Sequence, residues 1–497
     1  MKINIKFLAP LIAISLILPS CESMLDVKPR LQIPAEEGLK DLLGVTATLN
    51  AAYAGLRGSL TGAYYGRTMT VTPEILADNA RLVNPATRSG RNQNEALNLP
   101  GAHIKIWGGF ANHNIWVSVN LSNLVYEAAD KITNASAAQK AALKAQALFI
   151  RALIHFDLAR TYGYNPNYVQ NGFNLAVPIM IKGVDDAGEL ELPSRSTTEQ
   201  VFQQVEKDLT EAITLFGESG TPNARAPFFA TRTSAQALLA RLYLYWGGSN
   251  NKDKYAKAVE LSTAAIAGAV SLSRDIIPTA RYVDAWGTTR AGATGMAESI
   301  FEVNFNILGE ALNGDNSVQG YYQRLLNPNR GWGDIVASNE LLALFETGDV
   351  RRQLIISSTR ADGEVVGMTN KFPGSKGTFG WDNIPVIRTS EMYLTRAEAN
   401  ARAGNEDLAL QDLNKMRQRA GIAVVMLQGQ ALIDAIMKER RIELAFEGHR
   451  WYDLTRLGQN IPKPGGGVIP FTDYRILPDL PIGDLQINTN LKQNPGY

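Results

Sequence analysis

"KERRIELAFEGHRWYDLTR", residues 438–456, packs acids, bases, a histidine and a tryptophan into one short run. Laid on a helix, the face of Ile436 continues through Glu439 and Glu443. The face of Met437 continues through Arg440 to Leu444. Charges therefore fall on faces that are otherwise apolar, and charges that are buried must be paired. Arg440 with Glu443, and Glu447 with Arg450, each three apart, are the pairs within reach. Gly448 is expected to end the helix, with Arg450, Trp451 and Asp453 packed behind it. As a catalytic group the run offers carboxylates and His449, but acid–base work needs a carboxyl with a shifted pKa in a cleft. Neighbouring arginines would hold these acids ionised. The run reads as scaffold rather than active site.

The chain upstream is rich in helical periodicity. Leu143, Ala147, Ile150, Ile154 and Leu158 form one stripe, and Ala235, Leu239, Leu242 and Trp246 another. Further helices are expected near 36–57, 113–132, 197–216 and 428–447. Two segments look like copies of one unit, "RTSAQALLARLYLYWGGSNNKDKYAKAVELSTAAIAG" from Arg232 and "RTSEMYLTRAEANARAGNEDLALQDLNKMRQRAG" from Arg388. Each opens on Arg-Thr-Ser, where Thr233 or Thr389 is placed to cap a helix. Each breaks at a glycine (Gly247, Gly404) and ends on Ala-Gly, a length close to a tetratricopeptide helix pair. Ala240, Ala258, Ala397 and Ala409 would let paired helices approach closely. With 497 residues, 45% of them hydrophobic, a single compact core is outgrown and two lobes or a repeat architecture is expected.

Between the helical blocks lie stretches without that period, mainly 60–112, 270–386 and 460–497, with Glu298–Phe305 as a short strand. Loops of this length in a compact protein usually carry function. They hold the residue types that recognise a sugar, aromatic faces edged by amide, carboxylate or guanidinium groups. The candidates are Asp78, Asn79, Arg81 and Trp107 in the first stretch and Tyr282, Trp286 and Trp332 in the second. Tyr64, Tyr65, Asp284, Tyr321 and Tyr322 accompany them. The alternative for each aromatic is that it pins its own loop to the scaffold. Trp116 and Trp246 lie on helical stripes and read as core. One extended ligand would meet both stretches only if the fold brings them to one surface.

At the N-terminus, Lys2 and Lys6 precede an apolar run from Phe7 to Leu18, then "LPSC". This reads as a secretory signal over 1–20, too short to span a bilayer. Cys21, the single cysteine, stands where the lipobox of a bacterial lipoprotein places its acylated residue. The alternative is a plain signal followed by a free thiol. A formal net charge of +1 suggests no nucleic-acid partner. The four histidines show no metal-ligand spacing, and there is no Gly-x-Ser-x-Gly, phosphate loop or catalytic cysteine. No cofactor or metal is expected. A carboxylate pair for glycan hydrolysis is spatial rather than sequential, so surface glycan hydrolase stays as a further alternative.

"MKERRIELAFEGHRWYDLTRLG" resembles the C-terminal signature of SusD/RagB proteins, surface nutrient-binding lipoproteins of Bacteroidetes. "ESMLDVKPR", "AQALFIRALIHFDLARTYG", "STTEQVFQQVEKDLTEAITLF", "FETGDVRR" and "LPIGDLQINTNLKQNPGY" follow that pattern in order. Residues 60–115 and 275–335 match least. The resemblance implies a mostly α fold, a tetratricopeptide-like scaffold over 36–57, 113–162, 197–268 and 388–447 that carries an irregular, loop-rich lobe with a few short strands. It implies a lipid-anchored protein at the cell outer membrane, without catalysis. It would capture oligosaccharides, or in some members peptides, for import through a SusC-like TonB-dependent transporter.

Overall fold

The structure, a computed structural model, describes residues 38–58, 64–83, 115–186, 188, 191–219, 226–287, 295–305, 317–326, 329–360, 363–374 and 379–497. Cys21, the leader and Trp107 lie outside the described residues. The helices that build the base are α1 (Leu42–Arg57), α2 (Met69–Leu76), α3 (Ile115–Ala129), α4 (Ala137–Tyr162), α5 (Thr198–Glu218), α6 (Arg232–Trp246) and α7 (Asp253–Ser271). The C-terminal third adds α8 (Thr389–Ala403), α9 (Glu406–Ala420), α10 (Gly429–Glu443) and α11 (Arg450–Thr455). Consecutive long helices pack as hairpins, α4 on α5, α6 on α7 and α8 on α9, and α1 packs on α3. The fold is mostly α, as expected, and it is a stack of helix pairs.

Local chemistry explains these helices. Ser136 with Gln139 and Thr197 with Gln200 form capping boxes at the starts of α4 and α5. The two suspected copies are both helix hairpins, and α8 lies against α7 although more than a hundred residues separate them. Ala240, Ala258, Ala397 and Ala409 are all fully buried at these contacts, as small residues at a close approach must be. The caps differ from expectation. Thr231, not Thr233, caps α6, its hydroxyl accepting from Ser234 N at 3.2 Å. Arg388 occupies the cap of α8 without a side-chain bond to the open N–H groups of that helix, while Thr389 donates to Arg274 O at 2.5 Å. Gly404 ends α8 in the left-handed region at φ 88°, where a side chain would be strained. Among the described residues no helix is long and apolar enough to cross a membrane.

Strands are short and come as antiparallel pairs. β1 (Ala80–Leu82) pairs with β5 (Ile335–Ala337), β2 (Ser299–Val303) with β8 (Ile384–Arg388), β3 (Leu325–Leu326) with β4 (Asn329–Arg330), and β6 (Ile355–Thr359) with β7 (Val365–Thr369). The expected strand at 298–305 is β2. The stretch near 357–386, read as irregular, instead holds most of the β6–β7 hairpin and the start of β8. Val366 and Met368 of that hairpin pack on Val83 and Val336. Ile356, Ser357, Thr359 and Val365 stay exposed, which hides the two-residue alternation from a reader of sequence.

Candidate functional site

The opening run is a buried charge network. Helix α10 ends at Glu443 rather than at Gly448. The link to α11 turns through two left-handed residues, Phe446 at φ 68° and Gly448 at φ 83°. A side chain at Gly448 would put its Cβ 1.9 Å from Met69 O, so only glycine fits. The expected internal pairs do not form. Arg440 donates from Nε to Asp453 at 2.9 Å, and Arg450 to Asp78 at 2.7 Å. Glu443 lies 2.8 Å from Arg388, 2.5 Å from Arg419 and 3.2 Å from Arg351. Glu447 meets Arg388 and Lys371, each at 2.6 Å. The turn after Glu443 breaks the helical spacing that three-apart pairing of Glu447 with Arg450 needs, while Arg440 and Glu443, still on one helix, turn to partners on other elements.

These environments suit structure, not proton transfer. Burial pushes the Glu443 carboxyl up, but Arg419, Arg388 and Arg351 outweigh it and hold it well below the usual carboxylate range. Burial, joined by Arg241 and Arg440, holds His449 well below its ordinary value, so it is neutral. Glu74 alone among the acids here is raised, by burial. It is fully enclosed, accepting from Asn79 Nδ2 at 2.8 Å and from Gly448 N at 2.9 Å. Among the described residues no group of histidine, cysteine and acids is placed to hold a metal.

The network is also the mount for the first irregular stretch. Asp78 pairs with Arg441 at 3.1 Å and Arg450 at 2.7 Å. Asn79 accepts from Arg441 Nε at 2.8 Å. Both are buried, so in this arrangement they hold β1 rather than face a ligand. The same correction applies to two aromatics. Tyr282 and Trp286 are 0% exposed and cap the charges. Arg419 lies 4.5 Å from the ring centre of Tyr282, and Lys371 lies 4.8 Å from that of Trp286. Tyr64, Tyr65, Tyr321 and Tyr322 are buried too, Tyr64 and Tyr65 donating to Asp157 at 3.0 and 2.5 Å. The reading of these rings as pins for their own loops is the one the geometry fits.

Arg81 and Trp332 remain. The β1–β5 register sets Arg81 opposite Val336, and Val83 N donates to Asp334 O at 2.9 Å beyond it. The two irregular stretches, about 250 residues apart, therefore meet on one edge. Trp332 stands just past that edge, half-buried, its main-chain N–H donating to Gly320 O at 2.7 Å. Arg81 is half-exposed and pairs with Glu364. Arg324 and Arg330, which sequence reading passed over, stand on the hairpin that leads to Trp332. Arg330 is exposed, and its partner in the β3–β4 register, Leu325, adjoins Arg324.

A separate groove of about 250 Å³ runs between α3, residues 176–195 and the C-terminal segment 480–491. Trp116, Tyr162, Met180 and Leu192 line it. Trp246 is core as expected, but Trp116 is only half-buried, at the wall of this groove. A helical stripe cannot distinguish the two, because the element covering Trp246 is remote in sequence.

Comparison with known proteins agrees with this architecture. The profile described as "Starch-binding associating with outer membrane" matches residues 24–244, and that of the SusD family matches 365–463. SusD-like protein P2 of Formosa agariphila is 25% identical over 99% of this chain and 100% of its own length. The starch-binding protein SusD of Bacteroides thetaiotaomicron is 36% identical over 25% of this chain and 23% of its own. Crystal structures of SusD superfamily proteins from Bacteroides vulgatus and Bacteroides thetaiotaomicron superpose with TM-scores of 0.76 and 0.75, at 26% and 25% identity. Each superposition covers 92% of this chain, and 99% and 100% of theirs. Two separate profile matches, a relative aligned end to end and a shared helix-pair stack lead to one assignment: the chain belongs to the SusD/RagB family.

Proposed function

We propose that this chain is a non-catalytic binding protein of the cell outer membrane that captures oligosaccharides for import. The observation that carries the reading is the β1–β5 pairing. It joins two irregular stretches at one edge and leaves Trp332 and several arginines beside it. A half-buried ring with arginines on the adjoining hairpin suits the apolar face and hydroxyl rim of a sugar. The starch-binding name of the Bacteroides thetaiotaomicron relative supports the ligand class. The profile description that mentions the outer membrane supports the location. Lipidation of Cys21 would hold the chain there, since acyl chains anchor at about 0.8 kcal/mol per buried methylene. Delivery would be to a SusC-like TonB-dependent transporter.

Titration calorimetry of the full mature chain against a glycan panel and a peptide panel tests the ligand class. Binding of an oligosaccharide without release of new reducing ends is expected. Binding of peptides alone would replace sugar capture with peptide capture, and new reducing ends would make the protein a hydrolase. Cys21→Ala is expected to release the protein from membranes, and retention through high-salt washing would refute the anchor.

A further inference from the structure

Among the described residues, arginines removed from water have partners of two kinds. Arg151, Arg241, Arg351, Arg388 and Arg456 meet carboxylates. Arg195 and Arg274 donate to main-chain carbonyls. Arg67 and Arg324 have neither: the Nε of each is buried and meets no acceptor. Both side chains are half-buried. Tyr322, two residues before Arg324, donates to Thr70 O at 3.1 Å, three residues after Arg67, which ties the two segments together. Arg330 stands exposed one strand from Arg324, and Trp332 follows it. The turn is pressed onto Arg324, since a Cβ at Gly333 would lie 2.8 Å from the Cβ of Arg324.

A guanidinium nitrogen that gives up water without an acceptor is unfavourable. Arg360, Arg419 and Arg440 also bury nitrogens that meet no acceptor, but each of them has a carboxylate within 4 Å among the described residues, and Arg67 and Arg324 do not. Sugar hydroxyls accept hydrogen bonds but do not neutralise charge. A planar oxyanion does both and matches the guanidinium fork. Resting on the capture reading above, we infer that the oligosaccharide taken at the Trp332 edge is anionic. Its carboxylate or sulfate groups meet Arg324 and Arg330, with Arg67 as a further donor.

The test is calorimetry on the full mature chain at low and at physiological ionic strength. The probes are an oligogalacturonate, a sulfated galactan oligosaccharide, a neutral galactan oligosaccharide and a polyglutamate peptide. Binding of one or both acidic sugars is expected, with affinity falling steeply as salt rises. The two acidic arms separate uronate from sulfate. Arg324→Gln and Arg330→Gln are each expected to weaken that binding about tenfold, the scale of a lost charge-assisted contact. Should Arg324→Gln fail to fold, Arg330→Gln, at an exposed position, carries the test alone. A neutral sugar bound as tightly as its charged counterpart, without salt dependence, overturns the inference and leaves sugar capture standing. Polyglutamate bound as tightly as the acidic sugars also overturns it, because charge alone would then suffice. Binding of none of the sugars removes the capture reading itself.

Discussion

Glu443 is the residue on which the reading of residues 438–456 as scaffold can be tested most directly. It touches Arg388 at 2.8 Å, Arg419 at 2.5 Å and Arg351 at 3.2 Å. Glu443→Gln keeps the shape and removes the charge. Arg388 would retain Glu298 and Glu447, and Arg351 would retain Asp349 and Glu439. Arg419 would keep only Glu298, at 4.0 Å. The substitution thus strands one buried guanidinium, and removing one side of a buried pair costs about 3–5 kcal/mol. Urea denaturation followed by circular dichroism should show a lower midpoint at an unchanged slope. Adding Arg419→Met removes the stranded charge and should recover part of the loss, since apolar replacement of a buried pair is often nearly neutral. A Gln variant within about 1 kcal/mol of wild type, or a double variant less stable than the single, would refute this account. Lost ligand binding with unchanged denaturation would instead place the run at the ligand.

Three other outcomes follow from particular contacts. Burial lowers His155 from 6.5 to about 4, and its neighbours fix the neutral tautomer: Nδ1–H donates to Arg151 O at 2.9 Å and Nε2 accepts from Met180 N at 3.1 Å. The unfolded chain takes up the proton first, so this contribution is full above about pH 6.5. It is lost as pH falls toward 4, by about 3 kcal/mol, and a pH series in which His155→Gln shows the same slope as wild type would contradict it. Gly448→Ala should cost at least about 2 kcal/mol in urea melts, from left-handed strain and the clash with Met69 O. Trp286→Ala should destabilise by about 3–5 kcal/mol as a buried truncation, whereas Trp332→Ala should weaken sugar binding by about 1–3 kcal/mol with little change in melting. The reverse pattern in melting and calorimetry would return Trp286 to the ligand and Trp332 to the core.

What the sequence determined by itself was the helical base. Apolar residues three and four apart, capping residues and a doubled hairpin are local signals, and α4, α6, α7, α8 and α9 appear where they predict. The buried character of the charged run was legible too, because charges stood on apolar faces. Which charges pair was not: Glu443 finds Arg351, Arg388 and Arg419 only once α9, β8 and the turn before β6 converge on it. Tyr282 and Trp286 looked like binding residues because sequence shows an aromatic in a loop, not the guanidinium beneath it. Arg324 and Arg330 drew no notice in the sequence, since a missing counter-ion is a property of three-dimensional neighbours. Burial and pairing are long-range quantities, so only the tertiary structure decided which loop residues pin the fold and which stay accessible at its edge.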